Sequence, residues 1–393
     1  MNLNSIKNNK ENIFIFSLLF LVFFSETILL DTLVPAYILI IIYLLINLSK
    51  IKISLFQYVS IIVTIFYFTS VLILSPSSSS ALINFKYFFG FIIFLLFFKN
   101  FNFKKKHFFI CRLILFLICS YTLIESLIIN IYPDISLHQE IHTAKFFGFY
   151  TRSYGIGGNS TISSLSIIFF YYFIFKFYKK KISFFENIQV LLSIISLFST
   201  SGFLMLFLII IIENIKFKYI NDILKLFIVI FLFLILIYIS THIKGDNFQK
   251  ISFDYLVLVI NDKLYWYKML FEDKNIENLN QLYSFKKYYL DVLESKDCFK
   301  LLYGCQVLDP TPNTSGDFAI KIFIKQNGLM GLFSYLLLIT SFFCSKNYLI
   351  VAILFLTSLH YGFIFSNVGH FILPLFLIFS LKKYNLESFI NAR

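Results

Sequence analysis

The stretch FYTRSYGIGGNSTISS, residues 149–164, holds one of only three arginines in the chain. Nearly all other basic side chains are lysines, in a composition rich in Ile, Phe, Lys, Asn and Tyr, as expected of an AT-rich genome. Because this bias explains the preference for lysine without any function, an arginine that is retained is a stronger indication of a functional role. The guanidinium of Arg152 offers a planar fork that suits phosphate oxygens, whereas an ammonium acts as a point charge. The glycine turn from Gly155 would let a headgroup approach backbone amides. The alternative is an ordinary interfacial arginine that reaches lipid headgroups.

Three carboxylates are candidates for a general base. Glu125 lies near the end of an apolar run, where a carboxylate usually faces a bundle interior or a wet cavity. It could also pair with Lys86 or Arg152. Asp317 begins an apolar run, and helix capping together with the helix dipole accounts for an acidic residue at that position. Glu140 lies in a polar segment between two histidines.

That polar segment, HQEIH at 138–142, has histidines at the spacing of two zinc ligands on a helix. No third ligand is evident nearby, so a solvated surface turn is the favoured interpretation. The sequence shows neither a P-loop nor a dinucleotide fingerprint. We therefore predict no metal and no cofactor.

The composition predicts an integral membrane protein. Hydrophobic residues make up 59% of the 393 and charged residues 14%, and the mean hydropathy is +0.81. Soluble domains have about 25% charged residues, and the apolar runs approach the ~20 residues that span a bilayer. We expect an all-α, polytopic fold of about 12 transmembrane helices (10–12) in one membrane domain, 1–393. The predicted spans are 13–30, 33–49, 55–74, 81–98, 108–131, 160–178, 188–200, 202–215, 223–241, 316–342, 348–365 and 370–381.

Lysines cluster in alternate gaps between these runs. The net charge of +13 could suggest a nucleic-acid partner, but no basic face stands apart from the membrane segments, so none is expected. The positive-inside rule instead places the lysine-rich gaps, and both termini, in the cytoplasm. This scheme requires two crossings within residues 188–213. The sequence STSG at 199–202 offers the necessary break, as two short helices or a re-entrant hairpin.

Two external loops complete the organisation. The first is 132–159. The second and larger, 242–315, lies between the ninth and tenth spans and shows helical apolar spacing, which predicts an amphipathic helical cap. Cys298 and Cys305 in this loop could form a disulfide in an oxidising compartment.

Three spaced signatures resemble those of the O-antigen polymerase (Wzy) family of bacterial oligosaccharide-repeat-unit polymerases. They are R152SYG155 before a span, S199TSG202 as a small-residue break, and Phe285–Gly331, which contains LLYG and a polar helix start. The chain departs from the family pattern in having no Arg after the break and none in the second loop. Related ligases usually have His at the position of Asp317, which favours the polymerase.

The resemblance implies an enzyme of the bacterial cytoplasmic (inner) membrane that joins polyprenyl-diphosphate-linked oligosaccharides at the outer face, making O-antigen or capsular polysaccharide. Arg152 with Lys286 or Lys287 would stabilise the leaving diphosphate, and Asp317, Glu140 or Glu125 would act as base. The implied partners are the lipid-linked oligosaccharides, the lipid bilayer and a chain-length regulator. Alternatives are a ligase or related glycan transferase, and then a flippase or other transporter.

Overall fold

The computed structural model describes residues 3–27, 32–74, 78–101, 103–132, 145–146, 150–178, 182–214, 302–304, 319–343, 348–357 and 362–378. This part of the chain is mostly helical, with one two-residue antiparallel ladder that pairs Lys145–Phe146 with Tyr150–Thr151. The helices, in chain order from α1 to α11, are Leu3–Phe23, Val34–Ile46, Leu55–Leu74, Ser78–Asn100, Phe108–Ile131, Ser160–Tyr178, Phe184–Leu197, Thr200–Asn214, Ala319–Phe342, Tyr348–Thr357 and Asn367–Ile378.

The all-helical prediction is confirmed for the described residues. Helices α3, α5 and α6 begin and end where hydropathy placed them, at 55–74, 108–131 and 160–178. Within the described residues, Leu55–Leu74 and Lys105–Ile131 are long and apolar enough to cross a membrane, and several shorter apolar helices accompany them. The predicted ninth span, 223–241, and most of loop 242–315 lie outside the described residues. Twelve crossings therefore remain a prediction.

Helix α11 forms the centre of the core. Every residue from Val368 to Ile378 is buried. The ring of Phe371 lies 5.0 Å from that of Phe98 in α4 and 5.9 Å from that of Phe23 in α1. Edge-on contacts at such distances stabilise aromatic packing beyond the burial of apolar area. A phenylalanine-rich sequence thus builds its core from interlocking rings, and α11 holds α1, α4 and α6 together.

Polar contacts at one end of the bundle involve lysine-bearing segments. Glu11 in α1 accepts a hydrogen bond from Lys104 at 2.9 Å and another from Lys106. The Lys52 amide donates to the Asn100 side chain at 2.9 Å. Since α1 and α5 both begin at this end, their opposite ends, which lead into residues 24–27 and 132, lie together at the other end of the bundle.

Helix α9 is interrupted at Gly328, which has φ 63° and ψ −170°. The Tyr67 hydroxyl of α3 donates to the carbonyl of Asn327 at 2.9 Å and so satisfies a group at the break. A Cβ on Gly328 would lie 2.4 Å from the Leu302 carbonyl oxygen. Gly328 is thus required both by its backbone conformation and by the close approach of residues 302–304.

Replacing Gly328 by Ala should therefore destabilise the protein by about 2 kcal/mol or more, because the strained conformation and the backbone clash act together. The measurement is the midpoint of thermal unfolding in detergent. Leu329→Ala, at a neighbouring residue that is 42% exposed, is the control and should lose much less. Equal losses in the two variants would contradict the geometry at Gly328.

The Glu11 ion pairs predict a pH dependence. Burial raises the pKa of the Glu11 carboxyl, but the hydrogen bonds from Lys106 and Lys104 outweigh it and hold this pKa below its ordinary value of 4.5. A lowered folded-state pKa contributes stability above the unfolded value, and this contribution is lost as pH falls through the folded value.

Glu11→Gln should therefore be less stable than the parent by up to about 1 kcal/mol near neutral pH, since the pairs are partly exposed. The difference should close below pH ~4. Thermal unfolding of both proteins in detergent across this range measures it. A difference that is constant with pH would show that the ion pairs contribute nothing.

Candidate functional site

The segment 150–158, called here the Arg152 loop, joins the two-residue ladder to α6. It contains the 3₁₀ turn Gly155–Gly157. Ser153 and Ile156 are fully buried, whereas Arg152 is half-buried. Irregular backbone inside a helical bundle must have its polar groups satisfied by the protein or by a wet cavity. The fold meets this demand with side chains and carbonyls of α5, α6 and α7.

Four alternate backbone amides of the loop donate to fixed acceptors from these helices. Two acceptors belong to α5, one to α7 and one to α6, so the loop is held from three sides. The hydrogen bonds run from Thr151 to Asn130 Oδ1 (2.8 Å), from Ser153 to the Ser196 carbonyl (3.3 Å), from Gly155 to Glu125 Oε2 (2.6 Å) and from Gly157 to Ser163 Oγ (2.8 Å).

Glu125 and Gly155, predicted as a base and as part of a phosphate-binding turn, contact each other directly. The Glu125 side chain is completely buried, and its carboxylate accepts the Gly155 amide hydrogen at 2.6 Å. The Gly155 amide, which the sequence offered to a lipid headgroup, is thus engaged by a carboxylate of the protein.

The two glycines of the turn with positive φ differ in their surroundings. Gly155 has φ +68°, and a Cβ there would lie 2.7 Å from the Ser163 Cβ and 3.1 Å from Leu197. Gly158 has φ +61°, but a Cβ there would approach only the Glu26 carbonyl, at 3.7 Å. Both positions need a left-handed backbone. Gly155 also lacks room for any side chain.

The predicted break at STSG is confirmed and lies beside the Arg152 loop. Helix α7 ends at Leu197, Phe198 adopts φ 42°, and α8 begins at Thr200. The predicted division of residues 188–213 at STSG is therefore confirmed, and the choice between two crossings and a re-entrant hairpin stays a prediction. The Ser199 hydroxyl donates to the Thr161 hydroxyl of α6 at 3.2 Å. A Cβ on Gly202 would lie 2.5 Å from Ser164 Oγ, so α8 approaches α6 closely through this glycine.

Glu26 connects the site to the central helix. Its carboxylate accepts the backbone amide of Asn367, the first residue of α11, at 3.0 Å. An acidic side chain at a helix N-terminus is favoured by the helix dipole. Glu26 thus has a structural role, and its carbonyl lies next to Gly158.

The described residues of the third signature are 302–304 and 319–331. Residues 302–304, from LLYG, pack against the break in α9, and the Tyr303 ring stacks on Tyr67 at 6.4 Å. The α9 residue Phe323 stacks on Phe365 at 4.7 Å, just before α11. Asp317, Glu140, Lys286 and Lys287 lie outside the described residues, as do His138, His142, Cys298 and Cys305. Their predicted roles therefore stay predictions.

The sequence did not single out Asn130, Ser163 or Ser196 as site residues. Asn130 and Ser163 each had a weak signal, namely a polar residue at the edge of an apolar run. Ser196 acts through its carbonyl, which no side-chain pattern can indicate. Within the described residues, no three His, Cys, Asp or Glu side chains are grouped as metal ligands.

The contact between Glu125 and Gly155 lies within the length of α5 and not at its last residue. Glu125 is six residues before Ile131, the last residue of α5, which corresponds to about 9 Å along the axis. The amides on both sides of Arg152, at Thr151 and Ser153, are anchored to α5 and α7. The backbone on both sides of Arg152 is therefore held by hydrogen bonds to two different helices.

Comparisons with known proteins provide no further assignment. No family model matches the chain, and it has no match among the curated proteins or the solved structures. The family resemblance therefore stays a prediction that rests on the residues themselves.

The two glycines of the turn predict a difference between matched variants. Gly155→Ala and Gly158→Ala carry the same left-handed strain, of about 1–2 kcal/mol. Only Gly155→Ala adds a clash with Ser163 and Leu197, which should cost a further 1–3 kcal/mol, roughly. Thermal unfolding in detergent compares the two proteins. Similar stabilities would contradict the packing described around Gly155.

Proposed function

We propose that the chain is a multi-pass enzyme of the bacterial cytoplasmic membrane that polymerises polyprenyl-diphosphate-linked oligosaccharide repeat units into O-antigen or capsular polysaccharide. The observation that carries the proposal is that two signatures from different connections, R152SYG155 and S199TSG202, meet the same neighbouring helices. The Ser153 amide donates to the Ser196 carbonyl, three residues before STSG, at 3.3 Å, and the Ser199 hydroxyl donates to Thr161 of α6 at 3.2 Å. The two signatures therefore border one buried polar cluster, as expected if they serve one site.

The distribution of lysine contacts along the bundle supports a site at the outer face of the membrane. Lys52, Lys104 and Lys106 make their contacts at one end, and the Arg152 loop lies at the other end of α5, which begins beside Lys104 and Lys106. Lysine-rich gaps are typical of the cytoplasmic side. On this argument the Arg152 loop faces the opposite compartment, where lipid-linked oligosaccharides are polymerised in the proposed reaction.

The proposed reaction is a glycosyl transfer. A sugar hydroxyl of one lipid-linked repeat unit attacks the anomeric carbon that carries the growing chain. The bond from this carbon to the diphosphate oxygen breaks, the polyprenyl diphosphate leaves with the electron pair, and the hydroxyl proton passes to a base. Fixed cations near the departing diphosphate stabilise its developing charge. Arg152, on an anchored backbone, suits this role because its fork can bind two phosphate oxygens.

The remaining roles are also part of the proposal. Lys286 or Lys287 would supply a second cation, and Asp317 or Glu140 would accept the hydroxyl proton. The donor is already activated by its lipid diphosphate, so the proposed reaction uses no nucleotide sugar and no cofactor. A chain-length regulator is a candidate partner.

Arg152 tests the proposal directly. In cells that lack the chromosomal copy, Arg152→Ala should reduce chain extension by about 100-fold, as expected for the loss of a fixed group that stabilises transition-state charge. Arg152→Lys should retain charge but lose the fork, with a loss of about 10-fold. The measurement is the length distribution of surface glycan on a gel. Arg112→Lys is the control, because Arg112 contacts Glu186 near the opposite end of α5.

The deletion strain separates the rival activities. A polymerase leaves a single repeat on the surface when it is deleted, a ligase leaves uncapped lipid core, and a flippase leaves repeats trapped inside. A normal glycan ladder in the Arg152→Ala strain, with the protein present at parental level, would refute the role proposed for the guanidinium.

A further inference from the structure

We propose that Glu125 is a positioning residue for Arg152 and not the general base. Its buried carboxylate holds the Gly155 amide, and through it the Arg152 loop, in the geometry that aims the guanidinium at the lipid diphosphate. That the guanidinium is aimed at a lipid diphosphate rests on the proposed function. That Glu125 holds the loop is independent of this function, because it follows from contacts within the protein.

The location of Glu125 disfavours a role as general base. A general base must come within about 2.6–3.2 Å of the hydroxyl that it deprotonates, directly or through one water. The Glu125 side chain has 0% exposure, and its Oε2 accepts the Gly155 amide hydrogen, with 2.6 Å between nitrogen and oxygen. A carboxyl group without solvent exposure, one oxygen of which is bonded to the backbone, is poorly placed to serve a sugar hydroxyl.

The anchors along the loop follow a pattern that favours positioning. Arg152 lies between amides that are bonded on both sides, at Thr151 and Ser153, and Gly155 is the next anchored residue. The bond from the Gly155 amide to Glu125, at 2.6 Å, is the shortest of the four anchors, which otherwise measure 2.8–3.3 Å. Glu125 thus holds the loop where it enters the 3₁₀ turn that leads to α6.

The backbone at Gly155 has no room to move away from Glu125. Ser163 and Leu197 lie within 3.1 Å of a Cβ built on Gly155, so this part of the loop is wedged between α6 and α7. Without an acceptor at position 125, the Gly155 amide would be buried with its principal bond broken. Water or a shift of the loop would then have to satisfy the amide, and either change would open the segment next to Arg152.

Two substitutions separate positioning from base catalysis. Glu125→Gln keeps an oxygen acceptor for the Gly155 amide but can no longer take a proton as an ionised carboxylate does. Glu125→Leu has similar volume and no acceptor. A positioning role therefore predicts that Gln rescues what Leu loses, whereas a base predicts that both variants fail alike.

The first readout does not depend on activity. Ser153 is fully buried and lies next to Arg152, so we place a single thiol there by Ser153→Cys in a chain whose native cysteines are replaced. A small water-soluble maleimide should modify this thiol at least 10-fold faster in the Glu125→Leu background than in the parent, and within about 3-fold of the parent rate in Glu125→Gln. Glu11→Leu, which removes a carboxylate near the far end of α1, is the control and should leave the thiol protected.

Equal thiol rates in parent and Glu125→Leu proteins would overturn the proposal. If Glu125→Leu does not accumulate, Glu125→Asp makes the same comparison. Shortening the side chain by one methylene withdraws the oxygen from Gly155 and keeps the charge, so positioning predicts faster labelling in this variant too, and unchanged labelling would overturn it.

The second readout uses glycan chain extension. Glu125→Gln should stay within about 3-fold of the parent, and Glu125→Leu should lose 10-fold or more. In an Arg152→Ala background, Glu125→Leu should add no further loss, because a residue that acts through another is not additive with it. A Gln variant as impaired as the Leu variant, or additive losses, would overturn the proposal.

A normal ladder in Arg152→Ala alone would refute the polymerase role of Arg152, and the thiol rates would still test the hold of Glu125 on the loop.

Discussion

The bond between the buried Glu125 carboxylate and the Gly155 amide is the interaction on which the organisation of the site depends. Irregular backbone is rare inside an apolar helical bundle, because each unsatisfied amide or carbonyl there is costly. The Arg152 loop exists only because α5, α6 and α7 present acceptors at the right positions. This explains why a chain so rich in Ile, Leu and Phe has a serine- and glycine-rich cluster at 153–164 and 199–202.

The same constraint links the loop to the helix breaks around it. Helix α7 ends at Leu197 and α8 begins at Thr200, so the Ser196 carbonyl at the end of α7 can accept the Ser153 amide hydrogen. A continuous helix through residues 184–214 would use this carbonyl internally. The break at STSG thus ends one helix, begins the next and leaves the preceding Ser196 carbonyl available to the loop. Discontinuous helices near polar sites are a recurring device in membrane proteins.

Much of the helical framework could be predicted from the sequence, because the hydropathy profile shows where each apolar run begins and ends. The spans 55–74, 108–131 and 160–178 and the break at STSG are examples. The pairing of Glu125 with Gly155 could not be predicted, since periodicity does not show which loop folds onto a helix face. The positive φ of Gly328 could not be predicted either, since it is seen together with the close approach of residues 302–304. Residues 215–301, which include most of the predicted cap and its lysines, lie outside the described part.

The central claim is that the Arg152 loop faces the extracytoplasmic compartment, where it can meet a lipid-linked diphosphate. The most direct test is to replace Arg152 by Cys in a chain without other cysteines and to treat intact cells with a membrane-impermeant thiol reagent. The account predicts labelling from outside, without permeabilisation. Labelling only after the membrane has been opened to the cytoplasm would contradict it.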